Sequence, residues 1–475
     1  MTIKSKYDVV IIGAGISGLI CGNYLAKYGR KVLMIEKNHN PGGCCVSFTR
    51  KGFRFDAGAH IIGGCDMKGV FTRILKNIGI SQTFARMSPT DRFFFEDDVI
   101  DVPDTPKAYI NALKLRFPEE KRLEDFFRTI LDSLKRKSDP QNNGSDESYQ
   151  QMLDSYFTHD KLKAILSAQA GFLGVYPEAA SGAAMVAMMS SYINGGAYYP
   201  IGGASAISNK LAASFLEKGG DLLLQATAKK LVVKDGGVTD VLIEKNGRSI
   251  SVSANHFVSS VDIRSTVYGM IGKKHLTCNL EENIARSEPS QSLFALYVGA
   301  TLPRDSVIKN IGWHYQQYDV NAGLKDCYFI SAPSLYDPKA APAGKISLEL
   351  FRVVEHANRE AGAANFDRSS YQDEAVGFLE KLFPLAGSEI LIKETAAPST
   401  IEKYTGSYCG AAYGWGMRCG QYQRNDIIAE NLPYNLFQAG HWSNPGGGIL
   451  AVAISGYFAA KKVMVCNEKE AARVN

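Results

Sequence analysis

The chain has 475 residues, of which 45% are hydrophobic and 21% charged, so it can form two or three domains and bury a sizeable core. Its formal net charge of +5, from 53 basic and 48 acidic residues, is too small to indicate a nucleic-acid partner. The nine cysteines form no C-x-x-C pair and no Cys/His spacing that suits zinc, so we predict reduced thiols in an intracellular protein and no metal site.

The first forty residues predict a strand, a glycine-rich turn, a helix and a second strand. Residues 7–12 are mostly β-branched and run directly into the turn at 13–18, which reads Gly-Ala-Gly-Ile-Ser-Gly. Apolar residues then recur at helical spacing as far as Gly29, and residues 31–35 predict a strand that ends at Glu36. This order and spacing are typical of a dinucleotide-binding βαβ unit.

Each residue of the turn has a separate physical task in such a unit. Gly13 permits a tight turn, Gly15 lets a pyrophosphate approach the backbone, and Gly18 lets the helix pack on the sheet. The helix begins at Ile16 and Ser17, where unpaired N–H groups and a partial positive charge face the phosphates. We therefore predict that these residues bind a dinucleotide.

An acidic residue at the end of the second strand indicates which nucleotide is accepted. Glu36 is placed to accept both hydroxyls of an adenosine ribose, and its charge disfavours a 2′-phosphate, so we do not expect NADP here. Lys37 follows it at the same strand end and is included in the predicted site. No second G-x-G-x-x-G follows another strand, so we expect no separate NAD(P)H domain.

Two further segments carry a resemblance to a known family. Asn-Pro-Gly-Gly at 40–43 follows Glu36, and Asp-Ala-Gly-Ala-His at 56–60 comes next. This succession resembles the flavin amine oxidase and phytoene desaturase superfamily, which binds FAD. The resemblance implies that Gly42 and Gly43 let the backbone pass close to the FAD diphosphate, and that Ala59 and His60 line the flavin. The pair Cys44-Cys45 lies beside this loop, either as a redox group or as two small residues in a tight turn.

The middle of the first half reads as a helical insert. We predict a helix at 70–79 and a hairpin whose strands are 92–96 and 99–103. Residues 106–137 predict amphipathic helices, 138–148 a polar loop, and Tyr149 to Ile193 further helix. The basic, aromatic insert fits two roles, a peripheral contact with a membrane surface or a cap over the substrate cavity. The longest apolar run that we identify, Ala179 to Ile193, is too short to span a bilayer.

A central block resembles the return of the chain to the FAD domain in phytoene desaturases, carotenoid isomerases and retinol saturases. It has a Y-P-x-G-G turn at 199–203, a helix at 205–218, and strands at 221–224, 228–233, 238–244, 249–252 and 256–260. The resemblance implies that the backbone at Val232 meets the adenine end of FAD. Farther on, residues 293–299 and 346–351 predict strands and 371–383 a helix, while His314 is expected to be structural.

The pattern at 397–415 resembles the isomerase and saturase branch of the family. Its glycines beside aromatic residues suit a wall along which a flat or rod-like apolar ligand passes, although packing in a core is the alternative. Near the C-terminus, a strand at 435–438 leads to Gly440, His441 and Trp442, and a second glycine-rich turn precedes a helix. In the superfamily the matching segment closes on the flavin, which implies contacts at Gly440, His441, Gly447, Gly448 and Ile449.

We therefore predict an α/β fold with an α+β substrate part. A Rossmann-like FAD-binding domain of the glutathione-reductase type is expected to be joined to a mixed-sheet and helical substrate domain, both discontinuous in sequence. The predicted FAD-binding domain comprises 1–75, 195–275 and 425–475. The substrate domain comprises 76–194 and 276–424, with a helical cap at about 105–193.

The family resemblance implies an FAD-dependent oxidoreductase that acts on carbon–carbon bonds of a long apolar isoprenoid or polyene. Desaturation, saturation and cis–trans isomerisation stay open, as does the electron donor or acceptor. His60 and His441 are the candidate acids, because both lie in flavin-lining motifs and histidine titrates near neutrality. The alternatives are an amine oxidase-like flavoenzyme and a non-catalytic prenyl- or lipid-binding protein, like the GDP-dissociation-inhibitor branch. We expect a cytoplasmic protein, with attachment to the inner face of a membrane left open.

Overall fold

The computed structural model describes residues 4–58, 60–133, 147–315, 319, 327–355, 366–383 and 390–474, with the backbone alone described at 422–423 and 467–474. Ala59 and most of the predicted loop at 138–148 lie outside these residues. The described strands, in chain order, are β1 Lys6–Ile12, β2 Val32–Ile35, β3 Ser47–Arg50, β4 Phe53–Asp56, β5 Ile62–Gly63, β6 Phe84–Arg86, β7 Asp91–Phe95, β8 Asp98–Val102, β9 Ala197–Pro200, β10 Asp221–Leu223, β11 Thr227–Lys234, β12 Gly237–Lys245, β13 Arg248–Ser259, β14 Ser292–Ala300, β15 Gly312–Tyr315, β16 Cys327–Ser331, β17 Ile346–Val354, β18 Ile390–Ala396 and β19 Leu436–Gln438.

Helices connect these strands and cover both large sheets. A 3₁₀ segment at Ala168–Phe172 and a π-helical segment at Ser265–Ile271 also border the site described below. The described α-helices are α1 Ile16–Lys27, α2 Val70–Asn77, α3 Pro106–Arg116, α4 Leu123–Ser133, α5 Tyr149–Tyr156, α6 Asp160–Ser167, α7 Gly182–Gly195, α8 Ala204–Glu217, α9 Cys278–Arg286, α10 Arg304–Asn310, α11 Pro333–Tyr336, α12 Arg368–Leu382, α13 Pro398–Thr405, α14 Tyr422–Glu430 and α15 Ile449–Val474.

The first sheet carries the predicted nucleotide-binding unit. Its strand order is β10-β2-β1-β13-β12-β11, with β19 beside β13. Strand β1 is parallel to both β2 and β13, and α1 connects β1 to β2, which confirms the predicted βαβ unit. Every residue of β2 is buried, as expected for a strand covered by helices on both faces.

One long strand replaces two that the sequence predicts. The segments at 249–252 and 256–260 belong to a single strand, β13, so the predicted break between them is wrong. The first half of β13 pairs with β12 in antiparallel fashion, and its second half pairs with β1 in parallel. Because Ser253 pairs with both neighbouring strands, the chain continues through residues 253–255 without leaving the sheet.

The second sheet has the order β18-β14-β17-β16-β15-β7-β8. Its last two strands form the hairpin predicted near residues 92–103, with the turn at Glu96 and Asp97. The other five strands come from the second half of the chain, so the sheet joins two distant segments. The mixed α/β class is thereby confirmed, while the exact domain boundaries remain a prediction.

The helical insert covers this second sheet. In α4 and the turn before it, the apolar face that the sequence predicts is buried in the largest core cluster. This burial favours a cap over the sheet and leaves that face unavailable to a membrane. The helical stretch predicted from Tyr149 to Ile193 is divided into four pieces. The last break, before α7, follows from Gly174, which adopts a φ of +60°, and from Pro177, which cannot continue a helix.

Within the described residues, the helix that is long and apolar enough to span a membrane is α15 and not the run predicted from the sequence. The 18 residues Ile449–Cys466 of α15 are long and apolar enough to cross a membrane, so the sequence-based choice of Ala179 to Ile193 is wrong. One third of this segment is buried within the protein, and its first residues line the cavity described below. Length and composition alone do not separate a membrane span from a core helix.

Candidate functional site

A cavity of about 1840 Å³ lies between the two large sheets. Small-molecule sites usually have about 300–1,000 Å³, so this cavity has room for two ligands. One part, the nucleotide lobe, is bordered by the β1–α1 turn, the end of β2, the start of β11 and the start of α15. The other part, the apolar lobe, lies between α7 and strands β14 and β17.

The glycine turn has the geometry that its sequence predicts. Gly13 has a φ of +97°, and a β-carbon there would lie 2.8 Å from the side chain of Val261. A β-carbon at Gly18 would lie 2.1 Å from the carbonyl oxygen of Gly13, so α1 packs directly on the turn. Gly15 faces the cavity, and its nearest neighbour to a β-carbon is Ser260 Oγ at 3.8 Å. The backbone at Gly15 is therefore open to a ligand.

Glu36 is oriented at the end of β2 by two backbone donors. The N–H of Ala14 donates to its Oε2 at 2.8 Å, and the N–H of Asn38 donates to its Oε1 at 2.9 Å. The carboxylate is 6% exposed and lines the nucleotide lobe, where each oxygen keeps a further lone pair. Lys37 also lines the lobe, and its Nζ donates to the carbonyl of Lys403. The ribose contact of Glu36 stays a prediction that this orientation suits.

The second glycine pair lies against the first turn. The N–H of Gly42 donates to the carbonyl of Ala14 at 2.8 Å, and Gly43 lines the cavity with a φ of +61°. Cys44 faces the cavity while Cys45 is buried and donates to the carbonyl of Ala204. Burial raises the pKa of the Cys45 thiol well above its usual value, so Cys45 is protonated at neutral pH. A buried, protonated thiol at Cys45 favours the packing interpretation of the pair over a redox role.

The C-terminal motif closes the nucleotide lobe. Gly440, His441, Gly447, Gly448 and Ile449 all line the cavity, as the resemblance implies. A β-carbon at Gly440 would lie 3.1 Å from Ser17 Oγ, so this return of the chain touches the start of α1. Ser17 and Ile16 line the same wall, and Ser17 Oγ is 3.0 Å from Ser260 Oγ.

Val232 is the predicted site residue that the structure places elsewhere. It lies within β11, opposite Asp240 of β12, and is absent from the cavity wall. The residues of this segment that line the nucleotide lobe are 226–229. The family pattern gave the correct strand, but the chain reaches the cavity at the start of β11, three residues before the predicted contact.

His60 and His441 both line the cavity, but neither titrates near neutrality. The ring of His60 stacks on Phe351 at 4.5 Å and on Phe329 at 5.0 Å, measured between ring centroids. Burial lowers the pKa of His60 and of His441 to about 4. The lowered pKa values argue against either ring as an acid at neutral pH, because a protonated imidazole loses its hydration in these surroundings, and a catalytic role of either residue stays a prediction. As neutral rings, His60 and His441 can each still donate one hydrogen bond.

The walls of the apolar lobe come from residues that the sequence does not single out. Helix α7 presents small or flexible side chains with spacings of three and four residues, at Ala184, Met188, Ser191 and Gly195. That spacing is the signal from which this wall could have been found. Phe172 and Tyr192 complete the wall, and their rings stack at 5.6 Å. Tyr413, which belongs to the aromatic and glycine pattern, lines the same lobe and contacts Gly174.

The residues of the nucleotide lobe fit FAD. Gly15 and Gly43 have no β-carbon, so the backbone of their two loops is open where a diphosphate would pass. Glu36 lies where the adenosine ribose of FAD would be expected. The described residues contain no group of three or more His, Cys, Asp or Glu side chains that could hold a metal ion. The fold and this lobe together define a dinucleotide-dependent oxidoreductase with an apolar cavity beside the nucleotide lobe.

Comparisons with known proteins give the family. The flavin containing amine oxidoreductase family model matches residues 16–464, and the chain belongs to this family. It is 26% identical to the chloroplastic prolycopene isomerase of Daucus carota, over 96% of this chain and 80% of that protein. It is 22% identical to the all-trans-retinol 13,14-reductase of Rattus norvegicus, over 87% and 78% respectively. A solved oxidoreductase from Methanosarcina mazei has a TM-score of 0.69 at 17% identity, covering 96% of this chain and all of the other. The protein is thus an FAD-dependent oxidoreductase.

Proposed function

We propose that this flavoenzyme isomerises or reduces carbon–carbon double bonds of a long apolar isoprenoid, of the carotenoid or retinoid class. The observation that carries the proposal is the apolar lobe, which is continuous with the nucleotide lobe and is large enough for a second ligand. The relatives named for prolycopene and all-trans-retinol support the same class of substrate. Desaturation of such a chain would use the same site and is decided by the electron partner.

Three groups of residues would hold the cofactor. Gly15 and Gly43 leave room for the diphosphate, Glu36 would accept the ribose hydroxyls, and the N-terminus of α15 after Gly448 offers backbone N–H groups. When bound, FAD supplies hydride acceptance and return at its N5 atom. The protein would exclude water and position the carbon chain by apolar contacts, because a hydrocarbon has few polar atoms that could accept or donate hydrogen bonds.

The imidazoles of His60 and His441 take a positioning role in this proposal. Both are neutral at physiological pH, so each can donate one hydrogen bond and accept another without carrying charge. A neutral ring beside an apolar chain costs less desolvation than an imidazolium ion. The stack of His60 on Phe351 keeps its ring plane fixed against the floor of the apolar lobe.

The proposal is tested with the purified, flavin-loaded protein. The flavin is reduced without oxygen, and prolycopene or all-trans-retinol is added in detergent micelles, with product analysis by chromatography. Isomerised or saturated polyene supports the proposal. A matched incubation with primary amines measures hydrogen peroxide, and peroxide release without any change in the polyenes would favour the amine oxidase alternative. Protein that takes up no FAD and still binds the polyene would favour the lipid-binding alternative.

A peripheral membrane contact at the mouth of the cavity is part of the same proposal. Met67 is 93% exposed on the loop before α2, and the neighbouring Lys68 and Arg73 line the cavity edge. Met67 is an exposed apolar tip between Asp66 and Lys68, and with Arg73 the basic side chains at this edge outnumber the acidic one, which suits the surface of an anionic bilayer from which an isoprenoid would be taken.

Vesicle binding tests this contact. We expect the protein to sediment with phosphatidylglycerol vesicles more than with phosphatidylcholine vesicles, and the double variant Met67→Ser, Lys68→Glu to lose that difference. Leu115→Ser is the matched control, since Leu115 is 86% exposed but lies on α3. Equal loss in the control, or no preference for the anionic vesicles, would contradict the contact.

A further inference from the structure

The floor of the apolar lobe follows one row of residues across the second sheet. Strand pairing places these residues directly opposite one another, each on the next strand of the sheet. The first three line the cavity and the last three do not. In order across the sheet, the row is Ala396, Ala295, Phe351, Phe329, Trp313 and Phe93.

Phe172 stands where the floor ends. Its ring contacts Trp313 at 4.8 Å and Phe329 at 6.2 Å, so it covers the part of the row that the cavity does not reach. Its other side faces the cavity, beside Tyr192. The lobe therefore stops at Phe172 although the apolar face of the sheet continues behind it.

The buried carboxylate of Asp91 holds the segment that carries Phe172 in place through hydrogen bonds. Asp91 accepts hydrogen bonds at Oδ2 from Gln169 Nε2 and from Trp313 Nε1, both at 2.9 Å. Gln169 lies one 3₁₀ turn before Phe172, and Trp313 is the residue on which the phenylalanine ring rests. A third bond, from the hydroxyl of Tyr315 to the carbonyl of Ala168 at 2.7 Å, holds the start of the same segment.

We propose that Phe172 limits the length of the apolar ligand, and that Asp91 is the positioning residue that keeps it in place. This inference rests on the proposed function, because it assumes an extended isoprenoid in the apolar lobe. Neighbouring strands lie about 4.8 Å apart, so exposing the row as far as Trp313 would extend the floor across two strands, or about 10 Å. No residue of the nucleotide lobe takes part in this limit.

Binding of a length series of isoprenoid alcohols to the flavin-loaded protein tests the inference, with quenching of tryptophan fluorescence as the signal. For the wild type we expect affinity to rise with each isoprene unit and then to stop rising at a certain length. For Phe172→Ala the rise should continue, by at least about tenfold for the next unit, since each buried methylene of the five-carbon unit adds to the affinity. Phe172→Trp should move the limit to a shorter chain.

Three further variants separate positioning from simple loss of packing. Phe93→Ala removes a ring of the same row from behind Phe172, and we expect its length limit to match the wild type. Asp91→Ala should lengthen the limit in part, whereas Asp91→Asn, which keeps an acceptor oxygen for Gln169 and Trp313, should restore it. The flavin spectrum of each variant shows that the nucleotide lobe is intact.

The outcomes separate this inference from the proposed function. A wild-type protein with bound flavin that binds no isoprenoid of any length would overturn both. Isoprenoid binding with the same length limit in wild type and Phe172→Ala would overturn the inference alone. A longer limit in Phe93→Ala equal to that in Phe172→Ala would overturn it as well, because the limit would then follow from core packing in general.

Discussion

A β-carbon at position 456 would lie 2.2 Å from the carbonyl oxygen of Ser17. Gly456 belongs to α15 and Ser17 to the first turn of α1, so the last helix of the chain crosses the first at backbone contact. The crossing brings the glycine turn at 13–18 and the glycine turn at 446–448 to the same cavity. The nucleotide lobe therefore depends on a contact between residues that are distant in sequence.

The first prediction concerns this crossing. Gly456→Ala should destabilise the protein by about 1–3 kcal/mol, because the clash is with a backbone atom that no rotamer change can relieve. Urea unfolding of the apoprotein measures the effect. Gly377→Ala is the matched control, since Gly377 lies within α12 with nothing within 4 Å of an added β-carbon. There we expect a gain of up to about 1 kcal/mol from helix propensity. A gain of stability in Gly456→Ala, like the gain expected for Gly377→Ala, would contradict the close crossing of α15 and α1.

The second prediction concerns Gly15. An added β-carbon has room within the protein itself, since its nearest neighbour is 3.8 Å away, but it would point into the nucleotide lobe. We expect Gly15→Ala to fold with nearly wild-type stability and to bind FAD at least about tenfold more weakly. Titration of the apoprotein with FAD gives the affinity, and urea unfolding gives the stability. Unchanged affinity would show that the diphosphate does not pass this residue.

Sequence patterns located the nucleotide lobe because each of its features is local. The glycine turn, the strand-end acid at Glu36 and the second glycine pair are each readable within a few residues, and the family resemblance joined them to the C-terminal turn. The exact register along a strand is set by pairing with neighbours, which explains why residues 226–229, and not Val232, line the cavity.

The apolar lobe could not be predicted to the same extent. Its floor is the first part of a row that crosses six strands, and only the folded sheet places Ala295 beside Phe351 and Phe351 beside Phe329. The pKa values of His60 and His441 likewise depend on burial by distant segments, which motif position does not reveal. The predicted cofactor site therefore follows from local sequence patterns, whereas the shape of the apolar lobe depends on tertiary packing.

The third prediction concerns the two histidines. Their lowered pKa values mean that His60 and His441 stay neutral from about pH 6 to pH 8. A histidine whose pKa falls on folding stabilises the protein above its unfolded pKa of 6.5, and this contribution is lost as pH falls toward 4. Spectra of ¹³C-histidine-labelled protein should show no shift of either ring in the neutral range, with His60→Gln and His441→Gln to assign the signals. A midpoint near pH 6.5 at either position would restore that residue as a candidate acid.

The last prediction concerns the carboxylate beneath Phe172. Burial raises the pKa of Asp91 from 3.8 to about 6, so the folded state binds its proton more tightly than the unfolded state. The contribution of Asp91 to stability is therefore most favourable below pH 3.8 and declines as pH rises through about 6, by about 3 kcal/mol in total. The tyrosines that face Asp91 do not ionise in this range, because their own pKa values are raised by burial.

Asp91→Asn isolates this term, because asparagine does not titrate and keeps an oxygen for Gln169 and Trp313. The free energy of unfolding of the wild type, minus that of the variant, should fall as pH rises from about 4 to 7 and be constant above. Urea unfolding of both proteins at a series of pH values gives the difference. Parallel curves for wild type and Asp91→Asn would contradict this prediction, because the hydrogen bonds from Gln169 and Trp313, which lower the pKa of Asp91, would then offset its desolvation in full.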